Sequence, residues 1–145
     1  MNINSAILLG AKVLREGFIK NPYLDSEILM TQVIEKDRKY ILLNSKRDLD
    51  TKHLNTFRKL IKKRAIGKPI AYLTKKKFFW NSEFTVSEDT LIPRPDTELV
   101  IEKVLDLTAY KKKSTVLEIG VGSGCILLSI LKERKSFYGT GIDIS

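Results

Sequence analysis

The stretch Glu118-Ile119-Gly120-Val121-Gly122-Ser123-Gly124 decides how the second half of this sequence is read. Thr115 to Ile119 reads as a buried strand, Gly120 to Gly124 as a tight turn, and Cys125 to Lys132 as a helix. Three glycines at alternate positions remove side chains where backbone would otherwise be held away from a ligand. The helix opening near Cys125 offers unpaired N–H groups and the positive end of its dipole. A second short strand, Tyr138 to Ile142, ends in Asp143, about 20 residues past the loop. Strand, glycine loop, helix, strand is the beginning of an open, mostly parallel α/β sheet, in which ligands sit at the carboxyl ends of the strands.

Two loop chemistries compete for this spacing. A dinucleotide site wants Gly-x-Gly-x-x-Gly, because the pyrophosphate needs close backbone approach; in that register the third glycine falls on Cys125. A phosphate-binding P-loop is excluded, since no Gly-Lys-Ser/Thr follows. The pattern present is Glu-x-Gly-x-Gly-x-Gly, with the acid at the strand end. It resembles motif I of the class I S-adenosylmethionine-dependent methyltransferases, whose ligand has no pyrophosphate. The resemblance implies S-adenosyl-L-methionine as cofactor and Glu118, Gly120, Val121, Gly122, Ser123, Gly124 and Asp143 as the residues that hold it. Asp143 is placed to accept hydrogen bonds from the ribose hydroxyls. For Glu118, direct ligand contact and a local capping role that orders the loop both remain open.

Upstream the pattern is helical. Ile7, Leu8, Ala11, Leu14 and Phe18 recur at helical spacing over residues 3 to 18, and Asn21-Pro22 breaks the run. A second helix is expected from Asp25 or Ser26, burying Ile28, Leu29, Val33 and Ile34, and a third over Arg38 to Leu43 with Tyr40-Ile41-Leu42-Leu43 as apolar payload. Asp50 or Thr51 can cap a fourth, with Leu54, Phe57, Ile61 and Ala65 inward, the lysines and Arg64 outward, and Gly67-Lys68-Pro69 as its stop. Such short amphipathic helices need one another, so a small bundle is expected. Phe78-Phe79-Trp80, a polar Asn81-Ser82 pair and Phe84-Thr85-Val86 suggest a β-hairpin. Two prolines force Leu91 to Pro95 into an extended path, after which Asp96 or Thr97 opens a helix through Leu99, Val100, Val104 and Leu105.

Bulk properties narrow the function classes. The 145 residues are 43% hydrophobic, enough for a packed core. No apolar run reaches membrane-spanning length, and Met1 to Gly10 shows no export leader, so a cytoplasmic location and no membrane partner are expected. One cysteine, Cys125, rules out an internal disulfide framework and reads as packing, not as a nucleophile. His53 is a lone histidine on a lysine-rich helix, and no metal set is suggested. The net charge is +9, with basic clusters at Lys59, Lys62, Lys63, Arg64 and Lys68, at Lys75 to Lys77, and at Lys111 to Lys113. These read as solvated faces or as surfaces drawn to ribosome, RNA or an acidic protein.

The segment before the glycine loop is the most specific. Lys68-Pro69-Ile70-Ala71-Tyr72-Leu73-Thr74, then Phe79-Trp80, Phe84-Thr85-Val86 and Leu91-Ile92-Pro93-Arg94-Pro95-Asp96-Thr97-Glu98 resemble the release factor glutamine methyltransferase family, also called HemK or PrmC. Lys75 departs from the pattern, since the family often has glycine after Tyr-Leu-Thr. The resemblance implies a helical substrate-recognition domain at 1–70, a β-hairpin linker at 71–92, and an incomplete S-adenosylmethionine-binding domain at 93–145. It also implies methyl transfer to a glutamine side-chain nitrogen of peptide chain release factors, with Pro93, Arg94 and Pro95 shaping the glutamine pocket; a structural salt bridge is the alternative for Arg94. The family's Asn-Pro-Pro-Tyr motif, which holds the acceptor amide, is absent, so no catalytic residue is assigned and an inactive N-terminal fragment is expected. A non-catalytic release-factor or ribosome-binding module, and a related protein or nucleic-acid N-methyltransferase, are the competing readings.

Overall fold

A computed structural model describes residues 1–144. The chain folds as two compact units that divide at Thr74 and Lys75. The first holds five helices: α1 (Ile3–Glu16), α2 (Pro22–Ile34), α3 (Arg38–Leu43), α4 (Thr51–Ala65) and α5 (Ile70–Thr74). Its core joins Ile3, Ile7 and Leu14 of α1 with Leu29, Met30 and Val33 of α2, Ile41 of α3, and Phe57 and Ile61 of α4. A glycine in α1 makes this packing close: a Cβ on Gly10 would lie 2.6 Å from Ser26 Oγ and 2.9 Å from both Ile61 Cδ1 and Phe57 Cζ.

Several local expectations change here. Asn21-Pro22 starts α2 instead of only breaking α1, because proline at the first helical position forfeits no hydrogen bond. Asp25 and Ser26 therefore lie inside the helix, and both are buried. Ser26 Oγ donates to the Ile7 carbonyl at 2.8 Å. Asp25 accepts from Arg64 Nε at 2.7 Å, so Arg64 turns inward, away from the lysines of α4. Glu27 is also buried, ion-paired with Arg38 at 2.8 Å, though not aligned as a hydrogen bond. Phe18 leaves the apolar face of α1 and is exposed. It takes the left-handed position of a C-terminal cap at φ 57°, with its N–H to Arg15 O and the Ile19 N–H to Leu14 O. Only Ile41 of the α3 payload is buried; Leu42 and Leu43 are exposed. Residues 71–74, expected in the hairpin linker, continue α5 within the helical unit, where Ala71 is buried.

The second unit opens with an antiparallel hairpin, β1 (Lys76–Phe79) and β2 (Ser82–Thr85), paired Phe79 with Ser82 and Lys76 with Thr85. Its turn is Trp80-Asn81, one residue earlier than the Asn81-Ser82 expected. Both turn residues have positive φ, 44° and 55°, the geometry of a two-residue hairpin turn. Bonds outside the hairpin hold tryptophan there. Trp80 N–H donates to Glu98 Oε1 at 2.9 Å, Trp80 Nε1 to Glu133 Oε1 at 3.0 Å, and Lys132 Nζ to Ser82 Oγ at 2.9 Å.

A 3-10 turn (Pro95–Thr97) leads into α6 (Glu98–Leu107), and β3 (Thr115–Ile119), α7 (Cys125–Glu133) and β4 (Tyr138–Ile142) follow. β3 and β4 pair in parallel, Thr115 with Tyr138 through Ile119 with Ile142, so α7 is the crossover of a β–α–β unit. The core joins Phe79 and Phe84 of the hairpin with Ile101, Cys125, Ile130 and Phe137. In α6 the buried residue is Ile101, whereas Leu99 and Val100 face solvent. β3 is not the fully buried strand expected: Leu117 is 59% and Ile119 77% exposed, since their face meets no element among the described residues. No helix among the described residues is long and apolar enough to cross a membrane, and no group of metal-ligating side chains occurs among them.

Candidate functional site

The ends of β3 and β4 and the start of α7 meet at the glycine loop. β4 ends on the Ile142 carbonyl, which accepts from Gly120 N–H at 2.8 Å and from Val121 N–H at 3.1 Å. Asp143 then reaches back: its Oδ2 accepts from Gly122 N–H at 2.7 Å, while Oδ1 accepts from Ile144 N–H at 2.8 Å. On the other side Glu118 Oε2 accepts from Leu127 N–H at 3.0 Å. Leu127 is the third residue of α7, and the N-cap residue Gly124 has no side chain to satisfy it. Glu118 thus caps the helix from the strand end, the local role that the sequence leaves open beside direct ligand contact. Burial at the strand end raises the Glu118 pKa above the usual glutamate range, and the Leu127 N–H opposes that rise.

The loop glycines differ in what they leave room for. Gly120 and Gly122 have φ of 77° and 51°, and a Cβ on either would point into open space with no atom within 4 Å. A side chain there would be strained and would project into the open space beside the strand ends. Gly124 is buried, and its Cβ would lie 3.2 Å from Leu128 Cδ1. Val121 packs against β4, and Ser123 is half-buried beside it in the chain.

Two further glycines, not singled out in the sequence, make the arrangement possible. A Cβ on Gly141 would lie 2.6 Å from Val121 Cγ2, and one on Gly139 would lie 2.7 Å from Leu127 Cδ1 and 2.8 Å from Leu131 Cδ1. Gly139 lets α7 lie close on β4, and Gly141 lets the loop do so. The signal was the Gly139-Thr140-Gly141 alternation, because glycine inside a strand often marks close approach of another segment.

Pro93, Arg94 and Pro95 stand apart in the bonding. Pro93 is buried, whereas Arg94 and Pro95 are exposed. Arg94 is extended, as a residue before proline should be, and its carbonyl accepts from Thr97 N–H at 3.0 Å. Its side chain forms no ion pair among the described residues. No hydrogen bond among those residues joins this segment to the glycine loop. His53 lies on α4, where Asp50 caps the helix through His53 N–H at 2.8 Å and also meets His53 Nδ1 at 2.7 Å.

The fold and site define a mixed α/β protein with a β–α–β unit whose loop is knotted by two strand-end carboxylates. Residues 5–74 match the family described as PrmC N-terminal domain. Release factor glutamine methyltransferase of Buchnera aphidicola subsp. Schizaphis graminum is 37% identical over 145 residues, which is 100% of this chain and 52% of that protein. The protein of the same name from Leptospira interrogans is 40% identical over 133 residues, 91% of this chain and 46% of that one. That of Koribacter versatilis is 34% identical over 145 residues, again 100% of this chain and 52% of the relative. Over its length the chain is similar to release factor glutamine methyltransferases, and it spans about half the length of the curated relatives it matches.

Proposed function

We propose that these residues form the first half of an S-adenosyl-L-methionine-dependent methyltransferase that modifies a glutamine side-chain nitrogen of peptide chain release factors. The observation that carries the proposal is the loop itself: Asp143 and Ile142 pin its N–H groups while Gly120 and Gly122 keep the space before the strand ends clear. The cofactor fits this donor set, since a nucleoside joined through a sulfonium to an amino acid needs carboxylate and backbone partners and no phosphate cradle. Asp143 would take the ribose, and Gly120 to Gly124 would pass beneath the amino-acid end, with the β3–α7–β4 unit as the start of a Rossmann-like sheet. Bound there, the cofactor supplies an electrophilic methyl group. Glu118 acts through the helix it caps, as a positioning residue.

An amide nitrogen is a poor nucleophile, its lone pair being delocalised into the carbonyl, so alignment and exclusion of water must supply the rate. Arg94 is exposed and pairs with no carboxylate among the described residues, which suits a residue lining an acceptor pocket. No Asn-Pro-Pro-Tyr occurs in these 145 residues, so they bind the cofactor weakly and do not turn over a release factor unaided. A chimera tests the assignment. Residues 1–145 joined to the second half of the Buchnera relative should transfer labelled methyl to one glutamine of a purified release factor, and the label should vanish when that glutamine is replaced. Label on RNA only would contradict the glutamine assignment, and release-factor binding without any cofactor binding would favour a non-catalytic module.

A further inference from the structure

The helical unit carries a surface feature that the proposed chemistry does not use. Between α1 and α4 lies a groove of about 480 Å³, floored by Ala6, Leu9 and Val13 on one side and Leu54, Phe57 and Ile61 on the other. Leu9 is 51% and Val13 39% exposed, although α1 already buries a complete apolar face formed by Ile3, Ile7 and Leu14. Leu9 and Val13 form a second apolar stripe one turn apart, and no element of the helical unit covers it. From Ala6 to Val13 and from Leu54 to Ile61 the spacing is seven residues, roughly 10 Å of helix on each wall. A helix of two to three turns, anchored at i, i+3 or i+4 and i+7, matches that length.

The rim gives the sign of the partner. Lys12, Arg58 and Lys62 border the groove, against the single carboxylate of Glu16. None of the three cations pairs with a carboxylate among the described residues, whereas Arg64 and Arg38 of the same bundle are committed to Asp25 and Glu27. Three uncommitted cations around an apolar floor favour a ligand that is apolar on one face and acidic at its edges. We propose that the α1–α4 groove docks an acidic amphipathic helix of a partner protein. This goes beyond the methyltransferase assignment and stands or falls separately from it, since it uses no residue of the glycine loop.

The test uses the full chain and three synthetic peptides of three helical turns: one with leucines at the anchor positions and glutamates elsewhere, its lysine counterpart, and a scrambled glutamate peptide. Fluorescence anisotropy should show saturable binding of the first at least tenfold tighter than of the other two, weakening as salt rises. Leu9→Glu should remove at least tenfold of that affinity, with far-UV circular dichroism confirming that the helices persist. The triple variant Lys12→Glu, Arg58→Glu, Lys62→Glu lies on the rim and should reverse the preference toward the lysine peptide. Equal binding of the acidic and scrambled peptides, or indifference to Leu9→Glu, would overturn the proposal. So would tighter binding of an RNA oligonucleotide than of the acidic peptide, or dimerisation of the chain through this groove in sedimentation equilibrium.

Discussion

Replacing Lys75 with glycine should stabilise the second unit. Lys75 stands where the family resemblance has glycine, and its backbone adopts φ 59°, the left-handed region. There an L side chain costs about 1–2 kcal/mol through the approach of Cβ to the following carbonyl. The conformation cannot relax freely, because the Lys75 carbonyl accepts from Val86 N–H at 3.2 Å and so closes the open end of the hairpin. The lysine side chain is exposed and makes no ion pair among the described residues, so little is lost with it. Glycine carries its own cost in the unfolded chain, about 0.5–1 kcal/mol. The difference leaves a net gain of roughly 0–1.5 kcal/mol, with a central value of about 0.75 kcal/mol. Urea unfolding followed through Trp80, the chain's single tryptophan and the first residue of the hairpin turn, measures this directly. A midpoint raised at constant slope is the expected result. As a matched control, Gly67→Ala introduces a Cβ at φ 93° with open space around it, and should cost the helical unit about 1 kcal/mol through backbone strain alone. A lowered midpoint for Lys75→Gly would refute the strain argument.

Other substitutions probe the knot around the loop and the bundle's buried charge. Gly141→Ala places a Cβ 2.6 Å from Val121 Cγ2 and should destabilise the second unit by about 1–3 kcal/mol in the same urea assay. Arg64→Ala leaves Asp25 buried without its partner and should cost roughly 3 kcal/mol of helical-unit stability, read by circular dichroism; Asp25→Asn together with Arg64→Ala should recover part of that loss. Glu118 has its folded pKa raised by desolvation, so its favourable contribution is full below the ordinary glutamate pKa and is lost as pH rises through the raised value. Glu118→Gln should therefore flatten the pH dependence of stability on the mildly acidic side, as chemical denaturation across that range would reveal.

Much of the site was legible because it is local. The bounds of β3, β4 and α3 follow from apolar runs closed by glycine or polar residues, and the glycine spacing places the loop between strand and helix without reference to anything distant. What the sequence left obscure depends on partners far along the chain. Arg64 turns inward because Asp25, 39 residues away, is buried beside it, and no periodicity within α4 carries that information. The hairpin turn falls on Trp80-Asn81 because Glu98 and Glu133 satisfy the tryptophan's two N–H groups, from 18 and 53 residues off. Leu99 and Val100 sit outside because α6 meets α7 through Ile101, a register set by packing and not by α6 alone. Glu118 was half legible: its strand-end position marked it, but its acceptor role became clear only with the Leu127 N–H at 3.0 Å.

The central claim is that Gly120 to Gly124 and Asp143 form a cofactor site. Isothermal titration of the full chain with S-adenosyl-L-methionine tests it most directly, run beside Gly122→Val, which puts a strained side chain into the space before the strands, and beside NAD as a competitor of the excluded class. The proposal predicts weak saturable binding of S-adenosyl-L-methionine, none of NAD, and loss of binding in Gly122→Val while circular dichroism stays unchanged. Binding that survives Gly122→Val undiminished would contradict it.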